Sequence, residues 1–523
     1  MIASPQARLA AVASLALSLG VLTGLGFQPV GWWWGTILGF GGLTLLIRQV
    51  GARRAFGLGY VFGLGYFGIS EWWLVNFGWF APVALVAFLS IWAGLAAWAT
   101  TWIVGNVPRL LPAWPVVAAA TWTATEWLAQ RFPFGGYGWS RFVYTVTDQP
   151  LGGWLPVIGA GGVSFLVALA GALLAWVVAG STRRRRFGAA MAAVALLAAG
   201  AALTALPEPA PAGSLRVGVV QGNTDVSAGT LSIGSPGSIT AMHLGETITA
   251  LANWRATGAQ PPDFLLLPEN SADSDPTKDA LTDKMITQAS NLAGLPMLVG
   301  VISLGPGADE RQTSALWWVP GDGPEARLDK VNLAPFGEFV PLSSLLRRLV
   351  PMTRLVGPQS VPGTGPRVMH VTLGDGSPVS IGNIICYELA YDSTVYSTVR
   401  NDAQIITVQS SNESMSGTWQ PAQQFAITRV RAMELRRQIV VATTQSLSGL
   451  IDAKGRVLDV TREGEPAFRL YVVATGTGVT PGVLIGPWLE GGVAALAGAG
   501  VLLGIIGRLR STRVVANHAG GQP

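Results

Sequence analysis

Ile381-Gly-Asn-Ile-Ile-Cys386-Tyr387-Glu388 is an apolar run that ends on the only thiol in the chain, with a carboxylate two residues later. Its β-branched residues read as a strand. A reactive group at the C-terminal end of a strand is held rigidly, and the backbone N–H groups beside it can face a developing oxyanion. One cysteine permits no intramolecular disulfide. With only three histidines beside it, a structural zinc set is not expected.

Two upstream contexts share this character. Phe264-Leu-Leu-Leu-Pro-Glu269-Asn270 is an apolar strand ending abruptly in a carboxylate. Lys330-Val-Asn-Leu-Ala-Pro-Phe336-Gly-Glu338-Phe-Val-Pro341 is a Pro/Gly-rich loop with one lysine and one glutamate. A free thiol has a pKa near ~8.5, so it needs a base or a cation to become a nucleophile. A glutamate can take the proton, and an ammonium can favour first the thiolate and then a tetrahedral oxyanion. Glu, Lys and Cys thus form a working set without histidine. Singly, each has a plainer reading. A strand cysteine is often a small core hydrophobe, Glu338 can brace its loop, and Glu388 can be a structural ion-pair partner. Spacing alone leaves both readings open.

These contexts lie in an α/β segment. Short β-rich runs recur at Leu215–Gln221, Phe264–Leu267, Met297–Ile302, Ala315–Val319, Val379–Ile385, Gln404–Val408 and Ile439–Thr443. Helical stretches at Ala241–Arg255, Thr277–Ala293 and Pro421–Leu435 lie between several of them. A Pro/Ala-rich linker, Leu206–Gly213, precedes the segment.

Outside it the composition changes. Over the whole chain 50% of residues are hydrophobic and 12% charged, about half the charged share of soluble domains. Between Arg8 and Arg48 no charge occurs, a length of roughly 58 Å as helix, or about two crossings of a hydrocarbon core. Gly26–Gly31 supplies the break. Further spans are expected near 55–75, 82–104, 113–130, 154–180, 187–206 and 488–507, and no cleavable signal peptide is evident. The arginines cluster at the ends of these runs and, with a cytoplasmic N-terminus, fall almost entirely on the cytoplasmic side, with only Arg131 and Arg141 in the opposite short loops, as the positive-inside rule requires. That placement argues against a nucleic-acid partner despite the net charge of +5. The expected organisation is a transmembrane bundle over 1–207 with about seven spans, an extracytoplasmic domain over 208–482, a last transmembrane helix over 483–510 and a cytoplasmic tail over 511–523. Tryptophan is concentrated before residue 155, mostly as an expected interfacial belt.

In order, the strand-Pro-Glu, the lysine before Pro-Phe-Gly-Glu-Phe-Val-Pro, and Ile-Cys-Tyr-Glu resemble the Glu-Lys-Cys triad of the nitrilase (carbon–nitrogen hydrolase) superfamily. The loop and the seven-plus-one spans resemble the apolipoprotein N-acyltransferase family, over nearly the whole chain. Val217–Asn223, Thr125–Leu128 and Arg429–Glu434 resemble further parts of that family. The resemblance implies a polytopic α-helical membrane domain with an inserted α/β nitrilase-like domain, an αββα sandwich. It implies Cys386 as nucleophile, Glu269 as general base, and Lys330 with the Tyr387 N–H as oxyanion stabilisers. Glu338 and Glu388 would support the site, and Asn412, Trp419 and Phe336 would lie on the substrate side.

The chemistry implied is ping-pong, without metal or cofactor. A phospholipid acylates Cys386, and the α-amine of a diacylglyceryl-cysteine on an apolipoprotein takes the acyl chain. The implied location is the bacterial cytoplasmic (inner) membrane, multi-pass. An apolar path to Cys386 is expected, with walls from 132–144 (Phe132, Phe134, Tyr137, Trp139, Phe142) and 345–358 (Leu345, Leu349, Val350, Met352, Leu355). A membrane-tethered amidase is the main alternative, because water and an amine attack the same thioester. A transporter is a second, although its spans would carry more ionisable groups than Glu71 and Glu126. The polar run after Glu269, Asn-Ser-Ala-Asp-Ser-Asp-Pro, leaves the shape of that loop open.

Overall fold

The computed structural model describes residues 5–224, 237–349 and 351–519. Two compact units form, one from residues 207–480 and one from the segments on either side of it. The flanking unit is helical: α1 (Pro5–Gly24), α2 (Trp33–Ile47), α3 (Ala52–Ser70), α4 (Phe80–Asn106), α5 (Trp114–Ala129), α6 (Leu155–Ala179), α7 (Arg183–Thr204) and a last helix, Pro481–Ala519. Among the described residues, five stretches are long and apolar enough to cross a membrane: Gln6–Gly24, Phe80–Asn106, Pro150–Ala179, Arg183–Thr204 and Pro481–Leu509. A count of eight would need three further helices. Of these, α2 has 15 residues and α5 has 16, while α3 carries Arg53 and Arg54 in its first turn. The last helix also runs beyond the 510 expected from sequence.

Small residues let these helices approach closely. A Cβ at Gly63 of α3 would lie 2.7 Å from the Ser90 Cα on α4, the close backbone packing that apolar bundles use in place of a hydrophobic driving force. Polar groups tie the loop after α5 to the bundle. The Phe142 N–H and the Trp122 indole N–H both donate to Glu126 at 3.0 Å, and Arg141 pairs with Glu490 at 2.8 Å. Tyr137 and Ser140 donate to Glu71. Phe142 stacks on Trp122 with centroids 4.5 Å apart, and Phe142 and Trp139 are buried core. They are therefore not exposed walls of a path, whereas Phe132 and Phe134 are exposed.

The unit over 207–480 has strands β1 (Gly213–Gln221), β2 (Phe264–Leu266), β3 (Met297–Leu304), β4 (Glu310–Val319), β5 (Gly323–Asp329), β6 (Gln359–Ser360) and β7 (Val368–Thr372). They continue with β8 (Pro378–Ile385), β9 (Ile405–Ser410), β10 (Ile439–Thr443), β11 (Gly449–Ile451), β12 (Val457–Val460) and β13 (Ala467–Thr475). One sheet runs β13-β1-β2-β3-β4-β5, with β6 on β4; the other runs β12-β11-β10-β9-β8-β7. The central pairs β1–β2, β2–β3, β8–β9 and β9–β10 are parallel, and the outer pairs β13–β1, β3–β4, β4–β5, β7–β8, β10–β11 and β11–β12 are antiparallel.

Period-two alternation builds the layers. Val217, Phe264, Leu266, Leu298 and Trp317 from the first sheet meet Ile381, Ile385, Ile405 and Val440 from the second in one core. The alternate residues Leu265, Leu267, Val299 and Trp318 pack beneath the helices at Ser238–Ala256 (α8) and Ala280–Ala293 (α9). Ser343–Leu349 is α10, Asp392–Arg400 is α11 and Gln420–Leu435 is α12. Both α11 and α12 lie against the second sheet. The result is the αββα order of a nitrilase-like domain. The strands absent from the sequence reading are mostly short or exposed: β12 is exposed throughout, and β13 alternates only weakly.

Trp317 and Phe264 pack at 5.4 Å between the sheets and are fully buried. Trp317→Ala is expected to cost about 3–5 kcal/mol. Leu458→Ala, on the exposed β12, should change stability by less than about 0.5 kcal/mol. Thermal melts of the purified variants check this, and equal shifts would contradict the assignment of the core.

Candidate active site

Three strand ends converge on one ammonium. β2 ends at Leu266 and the chain turns through Pro268 to Glu269, β5 ends at Asp329 beside Lys330, and β8 ends at Ile385 beside Cys386. The Lys330 Nζ donates to Glu269 Oε1 at 2.8 Å and to Glu338 Oε1 at 2.7 Å. Both Lys330 and Glu269 are buried. The second oxygen of each carboxylate is also held. Ser411 N donates to Glu269 Oε2 at 2.8 Å, and Ala334 N donates to Glu338 Oε2 at 2.7 Å.

The backbone is strained where these groups turn. Cys386 has φ 53°, Asn270 55° and Phe336 64°, a left-handed region uncommon for non-glycine residues and easiest for Asn. The turn after β2 is admitted by a missing side chain on β3: a Cβ at Gly300 would lie 2.2 Å from the Pro268 carbonyl oxygen and 2.6 Å from the Glu269 Cα.

Glu388 ties two of the three elements together. Its Oε1 accepts from Val331 N at 2.7 Å and Asn332 N at 3.3 Å, and its Oε2 accepts from Ile385 N at 2.9 Å. The lysine loop and the cysteine turn therefore share one buried carboxylate. Arg367 approaches that carboxylate at 3.5 Å and also donates to the Asp329 carbonyl, so Lys330 is braced from both sides in sequence. A third tie crosses the sandwich. Gln409 on β9 donates to the Leu267 carbonyl at 2.6 Å and accepts from Asn383 on β8 at 2.8 Å.

Two segments match family models: residues 19–173 match the apolipoprotein N-acyltransferase N-terminal domain, and residues 313–467 match carbon-nitrogen hydrolase. The apolipoprotein N-acyltransferase of Mycolicibacterium smegmatis is 31% identical over 522 residues, covering 94% of this chain and 84% of that protein. This chain belongs to the apolipoprotein N-acyltransferase family. The apolipoprotein N-acyltransferase of Ralstonia nicotianae is 28% identical, with 98% and 96% of the two chains covered. A solved nitrilase-superfamily amidase from Nesterenkonia AN1 aligns at 16% identity with a TM-score of 0.36, over 53% of this chain and 95% of that one.

Within this N-acyltransferase fold, Glu269, Lys330 and Glu338 stand in one hydrogen-bonded cluster, and Cys386 is within electrostatic reach of all three. Glu388 is a structural brace. Tyr387 follows the thiol in the turn and packs edge-on against Tyr391. Phe336 is exposed on the lysine loop, and Trp419 stands at the N-cap of α12. Asn412 is buried, and its amide N–H donates to Gln424 at 2.6 Å. Leu345 is exposed, while Val350 lies outside the described residues.

Sequence reasoning missed Gln424, Gln409 and Arg367. Gln424 follows another glutamine, and nothing in the sequence distinguishes the two. Gln409 is a polar residue on an inward strand face, a signal that only a fixed register makes legible.

Burial pushes the Cys386 thiol up to about 12, and the Glu269 charge adds to that; Lys330 opposes it. Burial by itself would lower Lys330, but the facing Glu269 and Glu338 carboxylates outweigh it and hold the ammonium well above its ordinary value. At neutral pH the resting site is thus a protonated thiol close to a cationic Lys330.

Below a raised pKa the thiolate fraction grows about tenfold per pH unit. Iodoacetamide labelling of the single cysteine should therefore keep rising through pH 7–9; a plateau near pH 8.5–9 would contradict the raised value. Glu388→Ala strands three N–H donors and the Arg367 guanidinium. It should cost about 3–5 kcal/mol and abolish activity. Glu388→Gln, which retains one acceptor oxygen, should lose less, as denaturation midpoints and turnover of both variants would show.

Proposed function

We propose that this protein is a phospholipid:apolipoprotein N-acyltransferase in which Cys386, Glu269 and Lys330 perform the chemistry. The observation that carries the reading is the buried Lys330 ammonium clamped by Glu269 and Glu338 beside the only thiol of the chain. Family membership favours transfer over the amidase alternative.

In the first half-reaction Sγ attacks the acyl carbonyl of a membrane phospholipid. The thiol proton passes to Glu269 and on to the departing alkoxide, which leaves as lysophospholipid. Lys330 and the Tyr387 N–H face the oxyanion of the tetrahedral intermediate. In the second half-reaction the free α-amine of a diacylglyceryl-cysteine attacks the thioester. The C–N bond forms, the C–S bond breaks, and the amine proton returns through Glu269 to sulfur. Glu338 holds Lys330 in place throughout, and Phe336 and Trp419 belong to the substrate side.

Both substrates are anchored in a bilayer, which gives the helical unit its purpose. Moving an acyl chain into water costs ~0.8 kcal/mol per CH₂, so the thiol must work at the membrane. The proposed organisation has about eight spans, with α2, α3 and α5 completing the five long apolar helices. Residues 208–482 lie on the extracytoplasmic side of the bacterial inner membrane, in keeping with the arginine distribution.

Purified protein incubated with phospholipid and no acceptor should carry one hydroxylamine-sensitive acyl group on Cys386, detected by mass spectrometry and absent from Cys386→Ala. A diacylglyceryl peptide should discharge it to the N-acyl product. Discharge by water alone would instead make the protein a hydrolase, and the absence of any adduct on intact protein would remove the thioester route.

A further inference from the structure

We propose that Gln424 is a catalytic hydrogen-bond donor to the Cys386 sulfur, and that Asn412 is the positioning residue deciding which end of its amide faces that sulfur. The inference rests on the thioester route above. The Gln424 Nε2 lies 3.4 Å from Cys386 Sγ. Its other end is committed, because Asn412 Nδ2 donates to Gln424 Oε1 at 2.6 Å. The Asn412 Oδ1 accepts in turn from Gln420 Nε2 at 3.5 Å. All three side chains are buried. An amide whose oxygen is already accepting has only its N–H₂ left for the sulfur.

The helix that carries Gln424 is itself anchored to the segment following the thiol. Arg431, fully buried on α12, donates to the Leu389 carbonyl at 2.8 Å and pairs with Asp392 at 2.7 Å. A third contact from the same guanidinium holds Glu434 at 2.7 Å. The helix that carries Gln424 and the turn that presents Cys386 are therefore tied together. Neither Lys330 nor Glu269 donates to the sulfur among the described hydrogen bonds, which leaves Gln424 as its fixed donor there.

The chemical use follows from where negative charge appears on sulfur. A neutral thiol accepts hydrogen bonds weakly, and a thiolate accepts them strongly because the bond becomes charge-assisted. In acylation the S–C bond forms as the thiol proton leaves; in transfer to the amine the C–S bond breaks and sulfur departs as thiolate before regaining a proton. Thiolate character thus develops in both half-reactions, and Gln424 favours both. Lowering the thiol pKa by one unit raises the thiolate fraction tenfold and reduces its nucleophilicity about threefold, a net gain of about threefold. This matters most in a site where burial and Glu269 otherwise oppose ionisation.

The test uses the single cysteine of the full-length protein. Gln424→Met keeps the volume and removes the donor, and Asn412→Leu frees the amide to turn. Iodoacetamide labelling from pH 7 to 9, acyl-enzyme formation and thermal melting are measured for each and for the double variant. Gln424→Met is expected to slow labelling and acyl-enzyme formation by about three- to tenfold, with a lower melt because Asn412 loses its acceptor but with the protein still folded at the assay temperature. Asn412→Leu should slow both in the wild-type background and have no further effect once Gln424 is Met. Wild-type labelling rates in Gln424→Met at every pH would overturn the proposal, as would losses from the two substitutions that simply multiply. If wild-type protein forms no acyl-enzyme, the thioester reading fails separately, and the labelling comparison still decides whether Gln424 acts on the sulfur.

Discussion

A buried ammonium held between two carboxylates is the constraint around which the α/β unit is organised. Lys330 meets Glu269 at 2.8 Å and Glu338 at 2.7 Å. Desolvating three charged groups is expensive, and their attraction offsets that only when every remaining lone pair is used. Here the spare oxygens take the Ser411 and Ala334 backbone N–H groups. The cluster therefore fixes the ends of β2 and β5 and the start of the loop after β9 relative to one another. Cys386 enters this frame as a protonated thiol whose ionisation the frame itself opposes.

The geometry of this cluster depends on groups that stand outside it. Glu388 joins the lysine loop to the cysteine turn, Arg367 neutralises it, and Gln409 binds the second sheet to the strand leading to Glu269. Each is buried in the low-dielectric interior, where a satisfied polar network is rigid and a broken one is costly. The left-handed turns at Cys386 and Asn270 persist because this network over-determines them. Removing a brace therefore disturbs both stability and chemistry, while removing a surface residue disturbs neither.

The helical unit follows the same rule with different materials. Glu126 and Glu490, carboxyl groups within an apolar bundle, each accept from donors on the loop after α5. The 139–142 part of that loop is consequently core, with Phe142 stacked on Trp122, while Phe132 and Phe134 stay exposed. Membrane-buried polar groups are expensive, and internal pairing is what makes them tolerable.

The sequence alone established the α/β character of the central segment, the order of the three chemical contexts and the apolar character of the flanking runs, and the family resemblance supplied the αββα class and the grouping of Cys386, Glu269, Lys330 and Glu338. It could do so because these features are local. An apolar run ending in a reactive residue is legible from neighbours in the chain, and the motif spacing carries the family resemblance. The tertiary structure decided what depends on register and on meetings between distant segments. It placed Gln424 on the sulfur, made Asn412 its orienting partner, turned Glu388 into a brace shared by two loops, and buried Phe142. Which polar residue faces a given atom is set by strand register and helix rotation, and one glutamine in a helix carries no mark of either.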